Sequence, residues 1–152
     1  MKTVLSIIGT RPEAIKMAPV IKELARREGV RSLVCSTGQH RQMLDQVLEL
    51  FKITPDFDLS VMEPDQTLSR LTANLIRALD GVISDVRPDW VLAHGDTTTV
   101  LAASLTAFYH KAKFGHVEAG LRSGNKYSPF PEEINRRMQD MLTPIPDLEL
   151  PK

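Results

Sequence analysis

Short apolar runs alternate along the chain with longer segments in which apolar residues recur every three or four positions. This is the pattern of β-strands that alternate with helices and build a parallel sheet. The apolar runs predict four core strands and one short edge strand, at residues 3–9, 31–37, 90–94 and 114–120 and, for the edge strand, 57–59. The periodic segments predict one helix after the first strand and others near residues 40–51, 67–86, 97–111 and 131–142. We therefore expect an α/β fold, a Rossmann-like doubly wound parallel sheet with right-handed crossovers.

Proline positions refine this picture at two places. Pro19 lies inside the first predicted helix, where it removes a backbone donor, so we expect a kink or a restart near Lys16 and Met17. Residues 143–152 contain three prolines and no periodic pattern, which predicts an irregular tail after a Rossmann-like domain at residues 1–142. A chain of 152 residues has the size of one ordinary domain.

Composition narrows the partners and the compartment. Nineteen basic and nineteen acidic residues cancel, so the net charge does not favour nucleic acid as a partner. No run approaches the roughly 20 apolar residues of a membrane span. Cys35 lies in an apolar run, where a buried reduced thiol is expected. These features predict a cytoplasmic protein that uses neither nucleic acid nor a membrane.

In a doubly wound sheet, ligands bind beyond the carboxyl ends of the strands, so the residues after each strand are informative. After the first strand, Thr10 and Glu13 form a capping box with Pro12 in the first turn, and these residues account for the helix start. Arg11 is not needed for that purpose, and beside a helix N-terminus it could bind a phosphate or a carboxylate. The alternative is a solvated arginine that pairs with a nearby acid. The single glycine of this loop, Gly9, is too few for a dinucleotide fingerprint.

Acidic residues follow the other strand ends. Asp96 comes after the third core strand, where capping the next helix is an alternative role, Glu118 ends the fourth strand, and Glu132 opens the last helix. An acid at the end of a buried strand is costly unless it is paired or used. The available ion-pair partners are Arg122, Arg136 and Arg137. Carboxylates that share a crevice perturb one another, so we expect raised pKa values that suit general acid and base chemistry. Together with Arg11, the acids indicate a phosphorylated or nucleotide-linked substrate.

Two His/acid pairs leave a metal site open as an alternative. His94 and Asp96 follow one strand, and His116 and Glu118 follow the next. Together these four side chains could hold zinc or manganese in a metal-dependent hydrolase.

Five stretches of the chain closely resemble one family. They are "GTRPEAIKMAPV", "QHRQMLDQVLELF", "VLAHGDTTTVLAA", "GHVEAGLRSG" and "YSPFPEEINRR", and the resemblance covers about residues 3–138. The chain resembles the N-terminal domain of the bacterial non-hydrolysing UDP-N-acetylglucosamine 2-epimerases. The resemblance implies the N-terminal half of a GT-B-like fold and an isomerase that interconverts UDP-GlcNAc and UDP-ManNAc for cell-surface polysaccharide. In the family, the C2 proton is removed, UDP is eliminated in the anti sense, and UDP adds back with the opposite C2 configuration, without metal, nicotinamide or flavin.

The resemblance also implies roles for individual residues. The catalytic acids of the family match Asp96, Glu118 and Glu132. The substrate-binding positions match Arg11, which would contact the UDP diphosphate, and Lys16, His94 and Arg122. The positions that hold a second, regulatory UDP-GlcNAc match Gln39 and Gln42. Asp65 stands where a regulatory arginine is expected, so this part of the pattern departs from the family. The resemblance also implies a homodimer for the full-length protein.

The family pattern continues after Arg137 through another strand and a second domain, which supplies most uridine contacts and a catalytic histidine. This chain reads "MLTPIPDLELPK" there instead. We therefore expect a truncated chain that lacks the C-terminal UDP-binding domain and has little or no epimerase activity alone. A non-catalytic fragment that binds nucleotide sugars or dimerises is the alternative, and a GT-B glycosyltransferase fragment would share the fold without explaining the set of carboxylates.

Overall fold

A computed structural model describes residues 1–39 and 41–143, and a sheet of parallel strands forms its centre. The strands are β1 (Lys2–Ile8), β2 (Val30–Ser36), β3 (Phe57–Asp58), β4 (Trp90–His94) and β5 (Lys113–Val117). The helices are α1 (Arg11–Arg26), α2 (Arg41–Leu50), α3 (Leu68–Val86), α4 (Thr98–Tyr109) and α5 (Glu132–Leu142). The strand order β3-β2-β1-β4-β5 is that of a doubly wound sheet, which confirms the predicted fold class. Within the described residues, no helix combines the length and the apolar character that crossing a membrane requires.

β1 lies at the centre of the sheet, between β2 and β4. Leu5 is opposite Leu33 of β2 and Val91 of β4. The chain winds from β1 to β2 and β3, then returns to the other side of β1 to form β4 and β5. A crevice opens at such a reversal, beyond the carboxyl ends of the two strands that flank it. The loops after β1 and β4 therefore border the place where a ligand is expected.

Apolar side chains cover both faces of the sheet. One cluster packs α3 and α4 against the sheet and includes the fully buried Leu5 and Phe114. A second cluster packs α1 and α2 around Met17 and Leu44. Most of α4 is buried, as its small apolar residues predict. Cys35 is also buried, and desolvation raises the pKa of its thiol to about 12, which agrees with the predicted buried thiol.

Some local expectations differ from the structure. α1 runs without interruption from Arg11 to Arg26, so a restart near Lys16 and Met17 is wrong, whereas a kink there stays a prediction. Pro19 is exposed, and the carbonyl group that loses its partner there can be hydrated. β5 ends at Val117, before its predicted end at residue 120, because Glu118 adopts a left-handed conformation with a φ of 59°. His40, the predicted start of α2, and residues 144–152 of the predicted tail lie outside the described residues.

Gly9 lies where three loops approach one another. A Cβ atom at residue 9 would be 2.5 Å from Thr37 Oγ1 and 2.9 Å from Thr99 Oγ1. Thr37 directly follows β2, and Thr99 is in the first turn of α4, which follows β4. The missing side chain at residue 9 is therefore what allows the ends of β1, β2 and β4 to come this close.

Gly9→Ala should destabilise the fold by about 1–3 kcal/mol, because the added methyl group overpacks this junction. Gly81→Ala is the matched control, since Gly81 lies in α3 and no atom is within 4 Å of its added Cβ. The control should gain about 0.5–1 kcal/mol from the better helix propensity of alanine. Urea denaturation measures both changes, and an unchanged stability of Gly9→Ala would contradict the close approach.

Candidate active site

Two adjoining hollows lie beyond the carboxyl ends of β4 and β5. The first has a volume of about 280 Å³, and its lining includes Glu13, His94 and Glu118. The second has a volume of about 260 Å³, and its lining includes Arg122 and Glu132. Three residues line both hollows: Asp96, Leu121 and Arg136. The structure therefore brings the three acids singled out from the sequence around one two-part cleft.

Arg136 of α5 joins the ends of β4 and β5. Its guanidinium donates from Nε to Asp96 Oδ2 at 2.9 Å and from Nη1 to the carbonyl oxygen of Glu118 at 2.6 Å. The side chain of Arg136 is only 5% exposed, so this ion pair is largely shielded from water. The amide of Asn135 adds a hydrogen bond to the carbonyl oxygen of Asp96 at 2.9 Å. α5 thus holds both the side chain and the backbone of Asp96.

Asp96 does not cap α4, so the capping role that the sequence left open for it is wrong. Thr97 is the N-cap residue of α4, and its hydroxyl group makes no cap hydrogen bond to that helix. The carboxylate of Asp96 points to Arg136 instead. The difference of one residue arises because α4 begins at Thr98 and not at Thr97.

Glu118 follows the edge strand β5 directly, and its side chain is 38% exposed, so it is not the buried strand-end acid expected from the sequence. His94 Nε2 lies 2.9 Å from Glu118 Oε2, and Lys16 Nζ lies 3.6 Å from the same oxygen. The hydrogen bond from His94 is the main cause that holds the pKa of Glu118 below its ordinary value, and the charge of Lys16 acts in the same direction. Glu118 is therefore an ionised carboxylate at neutral pH, and the expectation of a raised pKa is wrong for it, because its cationic and hydrogen-bonding partners outweigh repulsion between the acids.

Glu132 and Arg122 occupy the second hollow in different ways. Glu132 is the first residue of α5 and is partly exposed. Its neighbour Glu133 is buried and accepts hydrogen bonds from the backbone N–H of Ser123 at 2.8 Å and from Arg137 Nε at 3.1 Å. The N–H of Ser123 is the main cause that lowers the pKa of Glu133. Both acids line the second hollow, and Glu133 is held there by partners within the chain.

The guanidinium of Arg122 is bound within the chain. It donates to the carbonyl oxygens of Ala119 and Leu121, both at 2.7 Å, and forms an ion pair with Asp140 of α5. A role of Arg122 in binding substrate therefore requires exchange of these partners for the ligand.

The predicted anion contact and the predicted regulatory positions lie nearer to β1 and β2. Arg11 is the first residue of α1, is exposed, and forms no ion pair with any other described residue. Gln39 follows β2, and its amide oxygen accepts a hydrogen bond from Thr99 Oγ1 at 3.1 Å. Gln42 is exposed in the first turn of α2. Gly9, at the end of β1, lies against Gln39 on this side of the site.

Glu13 and His116 form contacts with the loop after β4 that the sequence did not indicate. Glu13, expected only to cap α1, is buried and also accepts a hydrogen bond from Thr97 Oγ1 at 2.6 Å. His116, considered as a metal ligand, lies with Nε2 2.5 Å from the carbonyl oxygen of Gly95. Burial is the main cause that lowers the pKa of His116, which favours a neutral ring that donates from Nε2.

The metal alternative requires all four side chains of the two His/acid pairs to converge, and only His94 and Glu118 contact each other. His94 faces Glu118, whereas His116 faces the Gly95 carbonyl and Asp96 faces Arg136. Over residues 1–39 and 41–143, no three His, Cys, Asp or Glu side chains are grouped as a metal ion would need. The arrangement suits proton transfer and anion binding at the strand ends.

Comparison with known proteins identifies one family. A sequence profile described as UDP-N-acetylglucosamine 2-epimerase matches residues 22–145. The UDP-N-acetylglucosamine 2-epimerase of Bacillus subtilis is 60% identical over 142 residues, which are 93% of this chain and 37% of that protein.

Solved structures agree with the sequence match. The crystal structure of UDP-GlcNAc 2-epimerase from Neisseria meningitidis bound to UDP-GlcNAc is 58% identical, with a TM-score of 0.90, over 93% of this chain and 38% of that one. The enzyme of Methanocaldococcus jannaschii in complex with UDP-GlcNAc and UDP is 34% identical, with a TM-score of 0.85, over 94% of this chain and 39% of that one. The chain therefore spans about two fifths of the length of the relatives that it matches.

Removal of Asp96 should destabilise the chain much more than removal of Glu118. Asp96→Ala leaves the buried Arg136 without its carboxylate, which should cost about 3 kcal/mol in the free energy of unfolding. Glu118→Ala removes an exposed carboxylate and should change the stability much less. Urea denaturation of the two variants tests this order, and equal losses would contradict it.

The stability that Glu118 contributes should depend on pH. Its pKa in the folded chain is below the ordinary value of 4.5, so the carboxylate stabilises the fold above that value, and the contribution is lost as the pH falls through the lowered pKa. The stability difference between the wild type and Glu118→Gln should thus shrink on acidification from pH 7 to about pH 3. Urea midpoints measured across this range provide the test, and a constant difference would be the opposing result.

Proposed function

The chain belongs to the UDP-N-acetylglucosamine 2-epimerase family, and from this premise we propose that it supplies the acid-bearing half of a cleft that interconverts UDP-GlcNAc and UDP-ManNAc. The related enzyme of Neisseria meningitidis, 58% identical, has been crystallised with UDP-GlcNAc bound, which supports this substrate class. The match covers 38% of that protein, so the epimerase activity of a cleft completed by the remaining part is also proposed.

The observation that carries the proposal is the grouping of three acids about one cleft. Asp96 and Glu118 are joined through Arg136, and Glu132 lines the adjoining hollow. Inversion at C2 of a sugar requires a group that removes a proton on one face of the ring and a group that returns a proton on the other. Acids in two hollows that share the Asp96–Arg136 wall provide candidates for both faces.

The proposed reaction balances without a redox cofactor. A carboxylate takes the C2 proton, the electrons of the C–H bond form a C1–C2 double bond, and the bond from C1 to the diphosphate oxygen breaks as UDP leaves with its electron pair. UDP then adds back to C1, and C2 receives a proton on its opposite face. The hydrogen bond from His94 chiefly lowers the pKa of Glu118 and keeps the carboxylate ionised, which is the form that accepts a proton. Release of this hydrogen bond would raise its basicity toward that of an efficient general base.

Charged side chains near the acids suit the diphosphate group. Arg11 is exposed at the start of α1, where both the guanidinium and the helix end favour an anion. Lys16 is 61% exposed on the same helix and pairs loosely with Glu118, so it can exchange this partner for a phosphate oxygen. His94 orients Glu118, and Arg122 would join the site by releasing Asp140.

Other features implied by the family resemblance stay predictions. They are the second UDP-GlcNAc at Gln39 and Gln42, the homodimer and the cytoplasmic location. Asp65, at the position of a regulatory arginine, is exposed and has a φ of 53°. An acidic side chain there would repel a second diphosphate.

The proposal is tested by exchange of the C2 proton with solvent. The 152-residue chain is incubated in D₂O with UDP-GlcNAc, alone and with the C-terminal remainder of the Bacillus subtilis relative. We expect UDP-ManNAc that carries deuterium at C2 only in the mixture. Proton and phosphorus NMR follow both nucleotide sugars.

Matched variants identify the groups that transfer the proton. Glu118→Gln should lower the exchange rate at least about 100-fold, because a general base typically contributes this much. Glu49→Gln, an exposed acid on α2, is the control and should leave the rate unchanged. Ligand binding without exchange in any mixture would favour the non-catalytic fragment, and a fully active Glu118→Gln would refute the assigned role.

A further inference from the structure

Glu13 is a buried carboxylate at the reversal point of the sheet, and the proposed reaction does not use it. Glu13 is only 2% exposed to solvent. Oε2 accepts hydrogen bonds from the backbone N–H groups of Gly9 at 2.5 Å and Thr10 at 2.8 Å, and Oε1 accepts one from Thr97 Oγ1 at 2.6 Å. A capping glutamate that served α1 alone would need only the bond from Thr10. The other two bonds require a different explanation.

The hydroxyl group of Thr97 binds Glu13 and does not cap α4, the helix that Thr97 precedes. It is the N-cap residue of α4 and has the extended backbone of a cap, with φ of −69° and ψ of 165°. A threonine at this position normally uses its hydroxyl oxygen to accept an N–H of the first turn. Thr97 makes no such bond and donates to Glu13 instead. The Thr97 hydroxyl group thus cross-links the loop after β4 to Glu13, in the first turn of α1.

The cross-link lies between the groups of the candidate site. Arg11 follows Thr10 directly, and Asp96 precedes Thr97 directly. The bond between Glu13 and Thr97 therefore connects the start of α1, which carries Arg11, to the loop that carries Asp96. Glu13, Asp96 and His94 also line the same hollow.

Glu13 also occupies backbone donors that could otherwise bind an anion. In doubly wound sheets, the N–H groups at the turn after the first strand commonly hold a phosphate. Here the N–H groups of Gly9 and Thr10 already bind the carboxylate of Glu13. A diphosphate would therefore lack these two donors, and the exposed side chain of Arg11 is an adjacent cation that can meet it.

We propose that Glu13 is a positioning residue, which holds the start of α1, bearing Arg11, in register with the loop bearing Asp96 and directs a diphosphate to the Arg11 side chain. This inference rests on the proposed function for the identity of the ligand, but not for the cross-link itself. Burial is the main cause that raises the pKa of Glu13, and the bonds from Thr97, Gly9 and Thr10 act in the opposite direction. These bonds are thus needed to hold a carboxylate at this depth.

Four variants distinguish the effect of the Glu13–Thr97 hydrogen bond from the effect of the Glu13 charge and from a general loss of stability. Thr97→Val removes the donor to Glu13, whereas Thr97→Ser keeps a hydroxyl group in place. Glu13→Gln keeps an acceptor for the backbone N–H groups, and its amide can donate to the hydroxyl oxygen of Thr97. Thr72→Val is the control, because the Thr72 hydroxyl donates to the Leu68 carbonyl within α3, away from the site.

The first measurement needs no ligand. In ¹⁵N NMR spectra of the 152-residue chain, Thr97→Val should shift the amide resonances of Gly9 and Thr10 and accelerate their hydrogen exchange about tenfold or more. Thr97→Ser and Thr72→Val should leave these amides unchanged. Unchanged Gly9 and Thr10 amides in Thr97→Val would overturn the positioning role.

The second measurement is the affinity for UDP-GlcNAc, by calorimetry below the unfolding temperature of every variant. Thr97→Val should bind about tenfold more weakly, as expected for a lost bond to a charged group, and Thr97→Ser and Glu13→Gln should bind as the wild type does. In a double-mutant cycle with Arg11→Ala, the two losses should be non-additive, because Thr97 and Glu13 act through Arg11. Additive losses, or an unchanged affinity of Thr97→Val, would overturn the proposal.

The two proposals fail in different ways. If the wild type binds no UDP-GlcNAc, alone or with the supplied C-terminal remainder, the proposed function is wrong, and the amide measurement alone then decides the role of Glu13. If the wild type binds and only the double-mutant cycle is additive, the proposed function stands and the positioning role is refuted.

Discussion

The buried guanidinium of Arg136 is the interaction on which the candidate site depends. It reaches from α5 to the side chain of Asp96 and to the backbone of Glu118, so one side chain unites the ends of two strands and a helix. A buried charge of this kind is tolerated only when its hydrogen bonds are satisfied. The need to pair Arg136 therefore fixes the two acids relative to each other, and α5 carries Glu132 into the same cleft.

α5 reverses the usual arrangement of an amphipathic helix. Its buried residues are polar, namely Glu133, Asn135, Arg136 and Gln139, whereas Met138 and Met141 are 45% and 88% exposed. Glu133, Asn135 and Arg136 bind the loops at the strand ends, which offsets the cost of removing them from water. A helix that presents polar groups inward can build a site, and its exposed methionines are apolar surface that the described residues leave uncovered.

Much of the fold follows from local pattern. Alternating apolar and periodic segments predicted β1, β2, β4 and β5 with the intervening helices, and a two-residue edge strand was found where the sequence placed it. The restart expected from Pro19 is absent, because Pro19 lies on the exposed face of α1, where water can replace the lost hydrogen bond. Asp96 was a reasonable cap on sequence grounds, but a cap is defined by backbone angles, and these belong to Thr97. For Arg136, the sequence offered three candidate arginines, and only the phase and packing of α5 selected one.

The order of strands and helices along the chain, the acids that follow the strands and the family of the chain can all be read from the sequence, because each is encoded in short contiguous stretches. Tertiary structure alone decided which charges meet. Glu13 and Thr97, and Arg136 and Asp96, are brought together from distant parts of the chain by the reversal of the sheet and by the packing of α5. Local periodicity states which face of an element is apolar, but the partners of a buried charge depend on where the other elements pack.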